Sequence, residues 1–271
     1  RSFGRHTIHV TVRSFAFTRG ITSENLMACA NHFPGHGDTS QDSHNTLPTV
    51  NFSAARIDSV ELYPYYKLFE AGVGSIMTAH LSIPSLESNV QLPTSISYKV
   101  ITEIAKEKMN YKGLIFTDAL NMKGASNFAK PGEIDLNALI AGNDILLYPE
   151  NVPAAINIIK KALKNKKVTM ARLDESVLKI LKAKYWAGLN NYKPNNLKNI
   201  NAKIPTANTE TAPISILRHL SKIQSISHYP ILFILCCGRR YLCKKTSYGS
   251  PQLPPKRSPC QALLYQPHQS G

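Results

Sequence analysis

The sequence predicts an α/β protein in which about four βα units form part of a (β/α)8 TIM barrel. Three observations carry that expectation. Apolar runs of about five residues alternate with stretches of helical periodicity, the order that builds βαβ units. The runs are apolar throughout rather than alternating, as in strands of a parallel sheet buried on both faces. In three of the four units a polar, titratable residue follows the run directly, and such barrels gather their chemistry at the C-terminal ends of their strands. A doubly wound sheet is the architectural alternative, but no Gly-rich phosphate-binding fingerprint follows any run.

The elements follow in order. Residues 10–25 read as an amphipathic helix with Val12, Phe15 and Ala16 on one side. Leu26 to Ala30 reads as the first buried strand, ending at Asn31. Ile57 to Ala71 is helical, with Leu62, Tyr65, Tyr66 and Phe69 at helical spacing and Pro64 as an irregularity. Ser75 to Ala79 is the second strand, ending at His80. Tyr98 to Asn110 is a helix with a charged outer face. Gly113 to Thr117 is the third strand, ending at Asp118. Pro131 to Ala141 is helical, Asp144 to Tyr148 is a fourth strand, and Val152 to Leu163 and Leu173 to Tyr185 are further helices. Tyr185 and Trp186 read as packing residues at a helix end.

Composition narrows the function classes. Of 271 residues, 43% are hydrophobic, enough for a substantial core. No run approaches the roughly 20 apolar residues of a membrane-spanning helix. The chain opens on Arg1 rather than Met, and no signal segment is legible. The net charge of +15 invites a nucleic-acid reading. Just over half of it comes from residues 211–271, which hold eight Lys or Arg and no Asp or Glu. The other basic residues scatter over helical faces without the aromatic interleaving of single-strand binders, so no nucleic-acid partner is expected. Four of the five cysteines (Cys236, Cys237, Cys243 and Cys260) also lie in that tail, at spacings that match neither a zinc knuckle nor a disulfide framework.

The chemistry concentrates in Asn31-His32-Phe33-Pro34-Gly35-His36-Gly37-Asp38-Thr39 and the following Asp42-Ser43-His44. Three histidines and two aspartates fall within thirteen residues, and glycines there allow close backbone approach to a ligand. Asp42 and His44 stand two apart, on one face if the segment is extended. A carboxylate beside an imidazole makes a proton shuttle near neutral pH; the alternative is an ordinary surface pair. A metal is the rival for the loop. His32 and His36 have i, i+4 spacing, but Pro34 breaks the helix such a zinc site requires; His36, Asp38 and His44 remain as loop ligands. Asp118 is either the N-cap of the next helix or a catalytic carboxylate at the strand end. His80 either contacts substrate or hydrogen-bonds backbone at the barrel mouth. Asp144 reads as structural.

These motifs, His32 to Thr39 with Asp42-Ser43-His44, then Met77 to His80, then Ile115 to Met122, resemble glycoside hydrolase family 3 in order and spacing over about residues 1–190. The closest likeness is to its β-N-acetylglucosaminidase (β-hexosaminidase) branch. The resemblance implies a (β/α)8 barrel of which this chain holds the C-terminal half, no cofactor and no metal. It implies a carbohydrate substrate, terminal β-linked N-acetylglucosamine, removed with retention, which in bacteria serves peptidoglycan turnover in the cytoplasm or periplasm. By motif, Asp118 would be the nucleophile, His44 the general acid/base with Asp42 as partner, and His32, His80 and Arg1 substrate-binding residues. Asn31 stands where the family carries lysine and would bind the sugar more weakly. A β-glucosidase-like hydrolase and an inactive half-barrel fragment are the alternatives. Residues 191–210 read as a linker. Residues 211–271 read as an irregular basic tail, from a shifted reading frame or as a disordered extension.

Overall fold

The computed structural model describes residues 3–39, 43 and 45–191. Arg1, Asp42, His44 and the linker and tail expected beyond 191 lie outside the described residues. Among the described residues no helix is long and apolar enough to cross a membrane.

Helix α1 (Thr7–Ser23) leads to strand β1 (Cys29–Phe33). Helix α2 (Ala54–Arg56) runs on through a wide turn, Ile57–Glu61, into α3 (Tyr63–Glu70), and strand β2 (Ser75–Thr78) follows. Helix α4 (Lys99–Lys108), itself wide-turned, precedes β3 (Leu114–Thr117). Helices α5 (Glu133–Ala141), α6 (Val152–Lys164) and α7 (Met170–Trp186) complete the described chain. The three strands are parallel and lie in the order β1-β2-β3. Each strand is added beside its predecessor, as in a βα barrel, with no reversal of order of the kind that creates a doubly wound switch point.

The two faces of the sheet are filled differently. Ile76 and Ile115, both 0% exposed, point toward α3 and α4 and pack with Leu68, Val100, Ile101 and Ala105. Each buried isoleucine contributes about 1.5–3 kcal/mol. Phe33 at the end of β1 meets Tyr65 edge-on at 5.1 Å, and Phe69 lies against Tyr111 at 4.2 Å, fixing α3 to β1 and to the segment that leads into β3. On the opposite face, Cys29, Met77, Leu114 and Phe116 form a second cluster, to which α7 adds Ile180 and Ala183. Strand alternation produces this division.

The structure departs from the sequence-based expectations at several points. The first strand starts three residues later than expected and runs through Asn31 and His32. Leu26 is instead taken up by the turn closing α1, its N–H donating to the Ile21 carbonyl, with Asn25 at φ 57°. The expected helix over 57–71 is in two pieces. The Leu62 N–H reaches back to Ile57, and Pro64, which has no N–H, sits in the first turn of α3 where none is needed. The fourth strand is reduced to a single parallel bridge between Phe116 and Ile145. Side chains replace its ladder at both ends: the Ile115 N–H donates to the Asp144 carboxylate at 3.0 Å, and the Leu147 N–H donates to the Thr117 hydroxyl at 2.9 Å. Val12 on α1 is exposed, and so are Tyr185 and Trp186, which lie with Leu178 and Leu181 on a solvent-facing side of α7 rather than packing at its end.

Candidate active site

Three strand ends converge on one rim. The Ala79 N–H donates to the Phe33 carbonyl at 2.8 Å and the Asp118 N–H to the Thr78 carbonyl at 3.0 Å, so the ladders carry on past the strands and fix His80 and Asp118 relative to β1. Pairing of β1 with β2 slips between Asn31, opposite Met77, and Phe33, opposite Thr78. His32 occupies that bulge, and bulges re-aim the side chains they carry. The Asn31–His32 and Phe33–Pro34 peptide bonds are cis.

The result is a histidine facing a carboxylate across the sheet. His32 Nδ1 lies 3.6 Å from Asp118 Oδ2, with both side chains partly exposed. Asp118 Oδ1 accepts the Ala119 N–H at 2.8 Å, so one oxygen is held by backbone while the other faces His32. Asp118 does not cap a helix: the next helical turn, Lys123–Ser126, begins after Met122. That removes the N-cap alternative for this carboxylate.

His80 is 0% exposed. Its Nε2 lies 3.0 Å from the Ala119 carbonyl and its Nδ1 2.6 Å from the Ser95 hydroxyl. A carbonyl only accepts, so Nε2 carries a proton and, in the neutral ring, Nδ1 accepts from Ser95. His80 thus makes the backbone bond that was one of its two expected roles, to the residue whose N–H holds Asp118. Nothing in the spacing of Ser95 announced it as a partner.

The turn after β1 is held from several sides. The His36 ring stands 6.1 Å from that of His32, and its Nδ1 is 2.6 Å from the Thr39 hydroxyl. Asp38 accepts from Arg56 at 3.1 Å. Farther along, the Ser43 carbonyl accepts the Gly124 N–H at 3.1 Å. A side chain at Gly124 would meet the Ser43 and Thr46 carbonyls at 3.0 and 2.8 Å and His80 at 3.2 Å, so only glycine admits this packing. The structure therefore brings His32 and Asp118 together, links His80 to Asp118 through Ala119, and leaves Asn31 next to His32 on β1 opposite Met77; Arg1, Asp42 and His44 fall outside the described residues. Chemically, the described part offers a carboxylate with one oxygen oriented toward the rim and an imidazole across from it.

Comparison with known proteins is consistent with this arrangement. The profile of the glycosyl hydrolase family 3 N-terminal domain matches residues 1–183. Beta-hexosaminidase A of Pseudoalteromonas piscicida is 30% identical over 203 residues, 68% of this chain and 34% of that protein. A beta-hexosaminidase of Chromobacterium violaceum is 33% identical over 159 residues, 58% of this chain and 44% of that protein. Among solved structures, a glycoside hydrolase family 3 beta-N-acetylglucosaminidase from Paenibacillus sp. str. FPU-7 superposes with a TM-score of 0.69 at 33% identity, over 73% of this chain and 38% of that one. The chain spans 34% and 44% of the two curated relatives. With the family profile covering well over half of its residues, the chain belongs to glycosyl hydrolase family 3.

Proposed function

We propose that this chain carries the catalytic rim of a retaining exo-β-N-acetylglucosaminidase. The observation that carries the reading is the approach of Asp118 Oδ2 to His32 Nδ1 at 3.6 Å across the strand ends. In the proposed cycle Asp118 attacks the anomeric carbon, the glycosidic oxygen leaves with a proton, and water then releases the sugar from the glycosyl-enzyme. His44, oriented by Asp42, donates that proton and later activates the water. His32, Asn31 and Arg1 hold the sugar. His80 completes the sugar site or acts through Ala119; its two ring hydrogen bonds favour the second. No metal or cofactor enters the scheme.

We further propose that residues 1–190 are the C-terminal half of the barrel, followed by a linker over 191–210 and a separate tail over 211–271. A second reading follows from that division: an inactive fragment. It is favoured by the outer edge of β1, which has no paired strand among the described residues, since unpaired strand edges are a liability. Hydrolysis of a chromogenic β-N-acetylglucosaminide tests the pair of readings. Turnover by this chain, abolished in Asp118→Asn, supports the glycosidase; no turnover, together with no binding of N-acetylglucosamine, supports the fragment. Faster cleavage of the matching β-glucoside would turn the assignment to a β-glucosidase-like hydrolase.

A further inference from the structure

The turn after β1 is tied to α2 by a group of residues for which the proposed chemistry has no use. Arg56 Nη1 donates to both carboxylate oxygens of Glu61 at 2.6 Å, and Nη2 donates to Asp38 Oδ2 at 3.1 Å. The Phe52 ring lies under the guanidinium, 4.8 Å from its centroid. The Ser53 hydroxyl accepts the Arg56 N–H and holds the base of that side chain. The Glu61 side chain is 8% exposed and that of Asp38 is 51% exposed. Gly35 rests directly on Glu61: a Cβ there would come within 2.7 Å of the Glu61 Cβ, and its φ is +139°.

These features differ in purpose. A buried carboxylate needs a counter-charge, and Arg56 Nη1 alone meets that need. The second arm of the fork reaches an exposed aspartate that water would otherwise solvate. Such a contact adds little stability, but a planar fork fixes the angle between its two partners, which a lysine cannot do. The stretch it reaches contains Gly35 and Gly37, which are conformationally permissive, and His36.

We propose that Arg56 and Glu61 are positioning residues: they lock the turn Gly35–Thr39 onto α2, so that His36 stays beside His32 and the turn keeps one shape at the rim. This inference rests on the glycosidase reading of the rim. It separates two kinetic constants. Asn31 and Phe33 are held by the β1–β2 ladder and fix His32 between them without Arg56, so sugar binding is retained. His36 and the rest of the turn Gly35–Thr39 lose their orientation at the rim, and misplacement of about 1 Å costs on the order of 10²-fold in rate.

The test compares Arg56→Lys and Asp38→Ala with the unaltered chain. Asp38→Ala removes only the exposed arm and leaves Glu61 neutralised by Arg56 Nη1, so the fold is preserved. Amide hydrogen exchange is followed for the peptide covering residues 35–39 and for β2 and β3, alongside hydrolysis of 4-nitrophenyl β-N-acetylglucosaminide. Exchange in 35–39 is expected to rise about two- to fivefold in both variants, with the strands unchanged, while kcat falls about 10- to 100-fold and KM stays within about threefold. Unchanged exchange in 35–39, or full activity in Arg56→Lys, overturns the proposal. If the unaltered chain is inactive, the glycosidase reading fails for this chain, and the exchange data alone decide whether the lock exists.

Discussion

Asp118 directly follows the third strand and His32 lies on the first, yet their Oδ2 and Nδ1 atoms are 3.6 Å apart. That separation exceeds a hydrogen bond and is short enough for an imidazolium and a carboxylate to feel each other's charge. Replacing Asp118 by Asn keeps the side-chain shape and the Ala119 N–H contact but removes the nucleophilic oxygen. Hydrolysis of an aryl N-acetylglucosaminide should fall by about 10³-fold or more, with the folded state intact. A 5-fluoro-N-acetylglucosaminyl reagent that traps glycosyl-enzymes should label the Asp118 peptide in the mass spectrum; a label on any other carboxylate would remove Asp118 from the role.

The two glycines of the turn should respond unequally to alanine. At Gly35 a methyl group collides with Glu61 backbone-proximal carbons and the φ of +139° disfavours any side chain; at Gly37 nothing lies within 4 Å. Gly35→Ala is expected to lower unfolding free energy by about 1–3 kcal/mol, and Gly37→Ala to stay within about 0.5 kcal/mol. Urea denaturation of the two variants checks this, and equal effects would mean that Gly35 does not rest on Glu61 in solution.

The positions of the strands were legible because parallel strands buried on both faces are apolar runs, and β2 and β3 fall within the expected 75–79 and 113–117. Strand β1 was misplaced because its pairing edge is chosen by register with β2, which draws in polar Asn31 and His32. The fourth strand failed for the opposite reason: Asp144 to Tyr148 has the composition, but Tyr148 sits at φ 46° and side chains take ladder bonds at both ends, leaving backbone pairing around Ile145. At the rim, Asp118 was legible as a lone carboxylate directly after the run Leu114-Ile115-Phe116-Thr117. Ser95, Arg56 and Gly124 were not, since they reach the site from other elements through contacts that no local pattern encodes.

Cys29 should be chemically silent. It is 7% exposed, lies in the cluster with Met77, Leu114 and Phe116, and burial pushes its thiol up to about 12. The thiolate is the reactive form, so iodoacetamide at pH 8 should leave the Cys29 peptide unmodified in the native chain and alkylate it fully after denaturation. Rapid native labelling would show that α7, which covers this face with Ile180 and Ala183, opens readily.

The base of the sheet is closed by charges that should differ sharply in weight. The Asp144 side chain is 0% exposed; it accepts from the Ser176 hydroxyl at 2.6 Å and the Ile115 N–H at 3.0 Å, with Lys179 at 3.3 Å and Arg172 at 3.8 Å. Asp144→Ala strands those donors in a partly buried place and should cost about 3–5 kcal/mol. Glu175 reaches Lys106, Lys179 and Arg172 from the same helix, but its side chain is 44% exposed, so Glu175→Gln should change stability by no more than about 1 kcal/mol at pH 7. Partial burial raises the Glu175 pKa, but the three cations outweigh it and hold the group below its ordinary 4.5. A depressed carboxylate stabilises the fold above its unfolded pKa, and that contribution fades as pH falls through the folded value. The unaltered chain should therefore lose stability below about pH 4.5 somewhat more steeply than Glu175→Gln. Parallel acid dependence in the two proteins would show that Glu175 is solvated rather than paired, leaving Asp144 as the group that fastens α7 to the sheet.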